Sequence, residues 1–239
     1  YHGTIDHGSQ VLDPAKRRTP TAYYGVESGV GRAVRAVQAK GPMRLGVVGL
    51  GAGVLSSYGR NGDAVRIYEL NPLVETIARS HFSFLSSSPA DRRILMGDAR
   101  LVLESQEPQA FDVLAVDAFS GDAVPVHLLT HEAMGLYFRH LKPGGILALH
   151  ISSQYLDLEP VCQAAARAFG KASLAVDDQG DQAPYYSAST WVLLSDDATW
   201  FSTEPFKGAD THAPKLPASF RPWTDEYSNL FQILTLGGQ

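Results

Sequence analysis

The segment Arg44-Leu45-Gly46-Val47-Val48 runs apolar into Gly49-Leu50-Gly51-Ala52-Gly53, and this strand breaking into a glycine loop constrains the fold more than any other feature. Glycines at such a point allow a tight turn and let a ligand approach the backbone. The run does not complete the dinucleotide fingerprint, because position 54 is Val54 where Gly or Ala is wanted, and this disfavours a pyrophosphate loop. A βα rhythm follows. Ala64–Glu69, 92–96 and Phe111–Val116 read as strands, and 72–82 as a helix with Pro72 in its first turn. Residues 128–141 read as a helix stopped by Lys142-Pro143-Gly144-Gly145, a turn signal, before a fifth strand at 146–151. A helix at 158–169 ends at Gly170, and 172–176, 190–194 and 230–236 read as the last strands. Upstream, 28–39 reads as a helix. Residues 1–24 read as a small β element or an extended arm. This gives an N-terminal arm over 1–27 and an α/β domain over 28–239.

Apolar strands flanked by helices imply a mostly parallel sheet buried on both faces. Ligands then bind beyond the carboxyl ends of the strands. The second strand ends in Glu69, twenty residues after Gly49, where a carboxylate can accept from both ribose hydroxyls or simply be solvated. The third ends in Gly97-Asp98-Ala99, and Asp98 can accept from an exocyclic adenine amine, cap the next helix, or do both. The fourth ends in Asp117 after an unbroken apolar run, where a charge is costly unless paired or used. The fifth carries His150, a satisfied core histidine or a substrate-site residue. The glycine loop, Glu69, Asp98 and Asp117, four strand ends in the required order, carry more weight together than any one alone.

Composition narrows the classes. The chain has 239 residues, 44% hydrophobic and 19% charged, which predicts a packed core. Its net charge of −5 and lack of a long basic run argue against duplex nucleic acid as a partner, and Lys16-Arg17-Arg18 reads as a solvated surface. The single cysteine, Cys162, falls in a helix, cannot form an internal disulfide and has no neighbours at metal-ligand spacing. His2 and His7 lack such spacing too, so no metal is expected. Ser152-Ser153 lacks the G-x-S-x-G elbow, which argues against a hydrolase triad. Asp225 and Glu226 reach a substrate mouth or cap a turn. No apolar run approaches the roughly 18 residues that span a bilayer. The sequence starts at Tyr1 and reads as a domain cut from a longer protein.

With these residues in place, the chain resembles the spermidine synthase family of polyamine aminopropyltransferases over nearly its whole length. It looks closest to the bacterial branch often fused to membrane-spanning segments. The resemblance is carried by His7-Gly8-Ser9-Gln10, Pro20-Thr21-Ala22-Tyr23-Tyr24-Gly25, the glycine loop, Glu69, Gly97-Asp98-Ala99, Asp117, Pro184-Tyr185-Tyr186-Ser187 and Thr224-Asp225-Glu226-Tyr227-Ser228-Asn229-Leu230. It implies a Rossmann-like class I S-adenosylmethionine-dependent methyltransferase fold with a small N-terminal β element. It implies that Gln10, Tyr24, Gly49, Gly51 and Gly53 line the nucleoside site. Glu69 would bind ribose, and Asp98 with Ala99 adenine. Asp117 would handle the attacking amine and Tyr185 would help hold it.

Two departures matter. The family's loop carries an Asp that holds the amine of decarboxylated S-adenosylmethionine, and here that position is Ala52. Its strand-four motif has a second Asp three residues after the first, and here that is Ser120, with Asp122 two further on. The expected reaction is cleavage of an S-adenosylmethionine-type sulfonium at the propyl carbon, with aminopropyl transfer to an amine and release of methylthioadenosine. The alternatives are intramolecular attack within intact S-adenosylmethionine, a non-catalytic nucleoside sensor, or a methyltransferase. Expected partners are the nucleoside co-substrate and a polyamine, with a homodimer as the default. The expected setting is the cytoplasm, as a free protein or the cytoplasmic domain of a membrane protein.

Overall fold

The computed structural model describes residues 8–117 and 125–235. Helix α1, Gly29–Gln38, starts where the Ser28 hydroxyl accepts from the Gly31 amide. It buries Val30, Ala33, Val34 and Val37, a stripe at helical spacing. Two glycines open this helix, at a propensity cost of about 1 kcal/mol each. Contact explains them: a Cβ on Gly29 would lie 2.4 Å from the Trp191 Cβ, and one on Gly31 would lie 2.2 Å from the Gly25 carbonyl. Burying each valine contributes about 1.5–3 kcal/mol, so packing wins.

The remaining elements are β1 Arg44–Val48, β2 Ala64–Glu69, α2 Pro72–His81, α3 Phe84–Ser87, β3 Asp91–Met96, α4 Ala99–Glu104 and β4 Phe111–Val116. They continue with α5 His131–His140, β5 Leu141–His150, α6 Glu159–Ala168, β6 Ala172–Asp178, β7 Ser189–Ser195 and β8 Asp210–His212. One eight-stranded sheet has the order β3-β2-β1-β4-β5-β7-β6-β8. The strands from β3 through β5 are parallel, and β7, β6 and β8 extend the sheet antiparallel. Two apolar clusters cover the two faces, one with α1 and Trp191, the other with α5, α6 and Trp223.

Three expectations need correction. Lys142-Pro143-Gly144-Gly145 lies inside β5 and not between elements. The β4–β5 register jumps from Phe111↔Leu141 to Val113↔Ile146, so these residues form an irregularity that the strand absorbs. The last apolar run, 230–236, is not a strand over its described part. Leu230–Gln232 is a 3-10 turn that Asn229 caps, and Leu234 makes one bridge to Leu156. Described residues 8–27 hold a 3-10 turn at Pro14–Lys16 and one bridge, Ala22 to Tyr186. Of the two readings of this segment, these residues form an arm, and no strand lies among them.

Candidate functional site

The strand ends are locked to one another through the backbone. The Gly97 amide donates to Glu69 O at 2.9 Å, Gly49 to Tyr68 O at 2.9 Å and Asp117 to Val48 O at 2.9 Å. This continues the parallel ladder one residue past each strand and aligns the polar tips along one edge. Gly49, Gly51 and Gly53 all have positive φ, at 95°, 52° and 82°, so the loop's path depends on glycine.

Glu69 is buried at this edge. Its Oε2 accepts from the Leu50 amide at 2.9 Å and its Oε1 from the Asn71 amide at 2.7 Å. The carboxylate therefore pins the glycine loop to β2, and each oxygen retains a second lone pair. Asp98 is the cap of α4: its Oδ1 accepts from the Arg100 and Leu101 amides at 3.0 and 3.1 Å. Its Oδ2 pairs with His127 Nε2 at 3.0 Å, a partner that no spacing in the sequence suggested. Burial raises the Asp98 carboxyl, but the Leu101 amide and the His127 ring outweigh it and hold the group below the usual carboxylate range. Ala99 opens α4 and is buried. Leu70 is 68% exposed and Met96 40% exposed, leaving apolar surface at the same strand ends.

Asp117 is also buried, and its two oxygens divide between two side chains. Tyr24 donates its phenol to Oδ2, and His150 Nδ1 lies 2.8 Å from Oδ1. Burial first, then the Asp117 charge, pushes the Tyr24 phenol well above its ordinary value, so it remains a donor at neutral pH. The Tyr23 ring stacks on His150 at 4.4 Å between centroids. The Trp191 indole donates to Tyr23 O at 3.2 Å. The arm thus supplies two adjacent tyrosines to this end of the site.

The other expected residues divide. Tyr185 O accepts from the Ala22 amide at 2.8 Å, so the 185–186 segment sits against the arm beside Tyr23 and Tyr24. Gln10 bonds the segment before α3, its amide donating to Ser83 Oγ at 2.8 Å and to Arg17 O at 2.9 Å and accepting from the Ser83 amide at 3.1 Å. Ala52 is buried, and a Cβ on Gly8 would lie 2.9 Å from the Ala52 Cβ, so the arm covers the position where the family has an acid. Ser120 and Asp122 lie outside the described residues, as do His2 and His7. A cavity of about 690 Å³ begins at Ser152 beyond the His150 ring and is lined by Glu159, Asp177, Thr190 and Lys215 among others. Its lining does not include the glycine loop, where a narrow cleft lies between Tyr24, Gly49, Leu50 and Gly53 among the described residues. We place the candidate site at the strand tips, because the locked polar groups are there. Among the described residues, no group of three His, Cys, Asp or Glu could hold a metal ion.

A sheet parallel from β3 through β5 and flanked by helices, with a glycine loop after β1 and acids at the ends of β2, β3 and β4, defines a chain of the Rossmann-like class I methyltransferase fold. Comparison with known proteins agrees. No family model matches the chain. Over 119 residues it is 31% identical to a polyamine aminopropyltransferase of Vibrio vulnificus, a match covering 47% of this chain and 38% of that protein. Over 109 residues it is 28% identical to an N-terminal histidine N-methyltransferase of Emericella nidulans, covering 44% of this chain and 19% of that one. The chain thus spans well under half the length of these curated relatives. The fold is similar to a probable spermidine synthase from Corynebacterium glutamicum, with a TM-score of 0.53, 21% identity and coverage of 68% of this chain and 60% of that one. It is similar to the spermidine synthase of Thermotoga maritima, with a TM-score of 0.54, 16% identity and coverage of 81% and 66%. A precorrin-6y C5,15-methyltransferase from Geobacter metallireducens, at a TM-score of 0.52 and 13% identity, shares it over 80% of this chain and 95% of that one. The sequence match to a polyamine aminopropyltransferase covers less than half of the chain, and the fold is shared by spermidine synthases and a methyltransferase alike. No helix among the described residues is long and apolar enough to cross a membrane.

Proposed function

We propose that the chain binds an S-adenosylmethionine-type nucleoside across the β1–β4 strand ends and cleaves its sulfonium at the propyl carbon, releasing methylthioadenosine. One observation carries the reading: a buried carboxylate, Asp117, is held by Tyr24 and His150 directly beside the glycine loop. The second lone pairs of Glu69 suit ribose hydroxyls, and Asp98, at the strand ends that expose Leu70 and Met96, suits an adenine ring with its amine. In aminopropyl transfer, the lone pair of a neutral amine forms the new N–C bond and the C–S electron pair leaves on sulfur. The nitrogen becomes an ammonium and gives one proton to Asp117. Tyr24 and His150 fix the carboxylate that takes this proton, which lowers the orientational barrier. Tyr185, whose carbonyl holds the arm at Ala22, is the candidate to help hold the amine at this end.

The covered Ala52 favours a second reading. Without an acid there, nothing at that position repels the carboxylate of intact S-adenosylmethionine, and that carboxylate can attack the same carbon to close a five-membered lactone. Incubation with S-adenosylmethionine, or with its decarboxylated form with and without putrescine, separates the two. Methylthioadenosine formed only from the decarboxylated donor plus amine supports transfer, and product from the intact donor alone supports ring closure. S-adenosylhomocysteine with a methylated acceptor, or tight binding with no turnover, would overturn both.

A further inference from the structure

Asp117 is bonded to an imidazole whose other nitrogen is also engaged. His150 Nε2 lies 2.8 Å from Ser152 Oγ, and the Thr190 amide donates to that same Oγ at 2.8 Å. The carboxylate sets the direction of the chain, because an ionised carboxylate only accepts and so calls for a proton on Nδ1. The Thr190 amide takes one lone pair of Ser152 Oγ and leaves its O–H to donate to Nε2. The opposite tautomer would set a bare Nδ1 lone pair against a buried carboxylate, which is costly without a donor between them.

The ring is held as well as bonded. It stacks on Tyr23 at 4.4 Å and 14° and on Trp191 at 4.8 Å and 27°. The Trp191 indole is fully buried and tied to Tyr23 O, so the two aromatic contacts support one another. Ile151, between His150 and Ser152, donates to Thr190 O at 3.0 Å, which fixes the backbone carrying both side chains to the start of β7.

We propose that His150, oriented by Ser152 and Thr190, is the positioning residue of Asp117. Its Nδ1–H occupies Oδ1 as Tyr24 occupies Oδ2, and the carboxylate is held in a single orientation. This inference rests on the proposed use of Asp117 for its consequence in turnover, but the tautomer itself does not. The alternative use of the same three side chains is a serine nucleophile, since Ser152 lines the neighbouring cavity. The Thr190 amide on Ser152 Oγ favours the positioning role, because it ties the hydroxyl into the sheet.

The closing experiment has an arm that needs no catalysis. In protein labelled with ¹⁵N-histidine, the His150 signal is assigned by its loss in His150→Asn, and it should report a protonated Nδ1. A protonated Nε2 with a bare Nδ1 would overturn the proposal whether or not methylthioadenosine is ever formed. In turnover, His150→Leu should lower kcat by roughly tenfold to a hundredfold, with KM for the nucleoside within about twofold. His150→Asn, whose carboxamide can still donate to Asp117, should recover much of the loss. Equal loss in the Leu and Asn variants, or covalent capture of Ser152 by a fluorophosphonate, would also overturn it.

Discussion

At the β1–β3 end of the carboxyl edge, the carboxylates are satisfied mainly by backbone amides, whereas at the β4–β5 end they are satisfied by side chains from distant parts of the chain. Glu69 takes the Leu50 and Asn71 amides, and Asp98 takes those of Arg100 and Leu101. Asp117 takes Tyr24, 93 residues away, and His150, 33 residues away. Backbone amides cannot be mutated away and follow from the loop geometry. Side-chain donors depend on the arm and on β5 docking correctly. The first end is thus suited to holding a nucleoside in a fixed pose, and the second to holding a reactive group whose setting can be tuned.

The comparison breaks if Asp117 contributes chiefly to binding. Asp117→Asn keeps the shape but not the charge, and should lower methylthioadenosine formation by about a hundredfold or more. Nucleoside affinity by calorimetry should stay within about threefold. A parallel collapse of affinity would place Asp117 in the binding half. Glu69→Gln should do the reverse. Charged hydrogen bonds of this kind are worth about 1.5–3 kcal/mol, so affinity should fall roughly tenfold to a hundredfold. Unchanged affinity in that variant would remove Glu69 from the ribose role.

Asp98 tests the same division on a smaller scale, because it serves both as cap and as candidate adenine partner. Asp98→Ala loses the cap at about 1 kcal/mol, a fall in Tm of about 2–4 °C for a chain of this size, together with the adenine contact. Asp98→Asn retains a capping oxygen and should restore Tm. It should bind nucleoside as weakly as the alanine variant if the carboxylate is what adenine needs. Full recovery of affinity with the Asn side chain would reduce Asp98 to a cap.

The same contrast explains what was legible in the sequence. The strands β1, β2 and β4 and the acids at their ends follow from apolar runs, glycines and short-range capping, all of which act over a few residues. The partners of Asp117 were readable only singly. Tyr24 came from a family resemblance and His150 from its place after a strand, and no periodicity brings them together. His127 carried no signal, because its contact with Asp98 depends on how 126–130 folds over α4. The Pro-Gly-Gly segment misled because a turn signal cannot show that neighbouring strands will absorb it as an irregularity. The final apolar run misled because its residues pack individually against 155–157 and do not join the sheet.

Acid should loosen the proposed nucleoside-binding end through identifiable groups. Arg100, next to the Asp98 cap, makes a bidentate pair with Asp225 at 2.7 and 2.5 Å and also bonds His127 O at 3.0 Å. The Arg100 hydrogen bonds hold the Asp225 carboxyl down to about 2. A carboxylate with a depressed folded value stabilises the protein above its unfolded value, near 3.9, and that contribution disappears as pH falls through the folded one. The window is therefore roughly pH 4 to 2. Arg100→Gln should lower Tm at pH 6, and its gap from the unsubstituted protein should close as pH is brought down through that window. The effect should be small, because Asp225 is substantially exposed and exposed pairs contribute about 1 kcal/mol or less. A gap that stays constant from pH 6 to pH 2 would mean that Arg100 supports α4 through its bonds to His127 O and Thr130 Oγ1 and that its pair with Asp225 adds nothing.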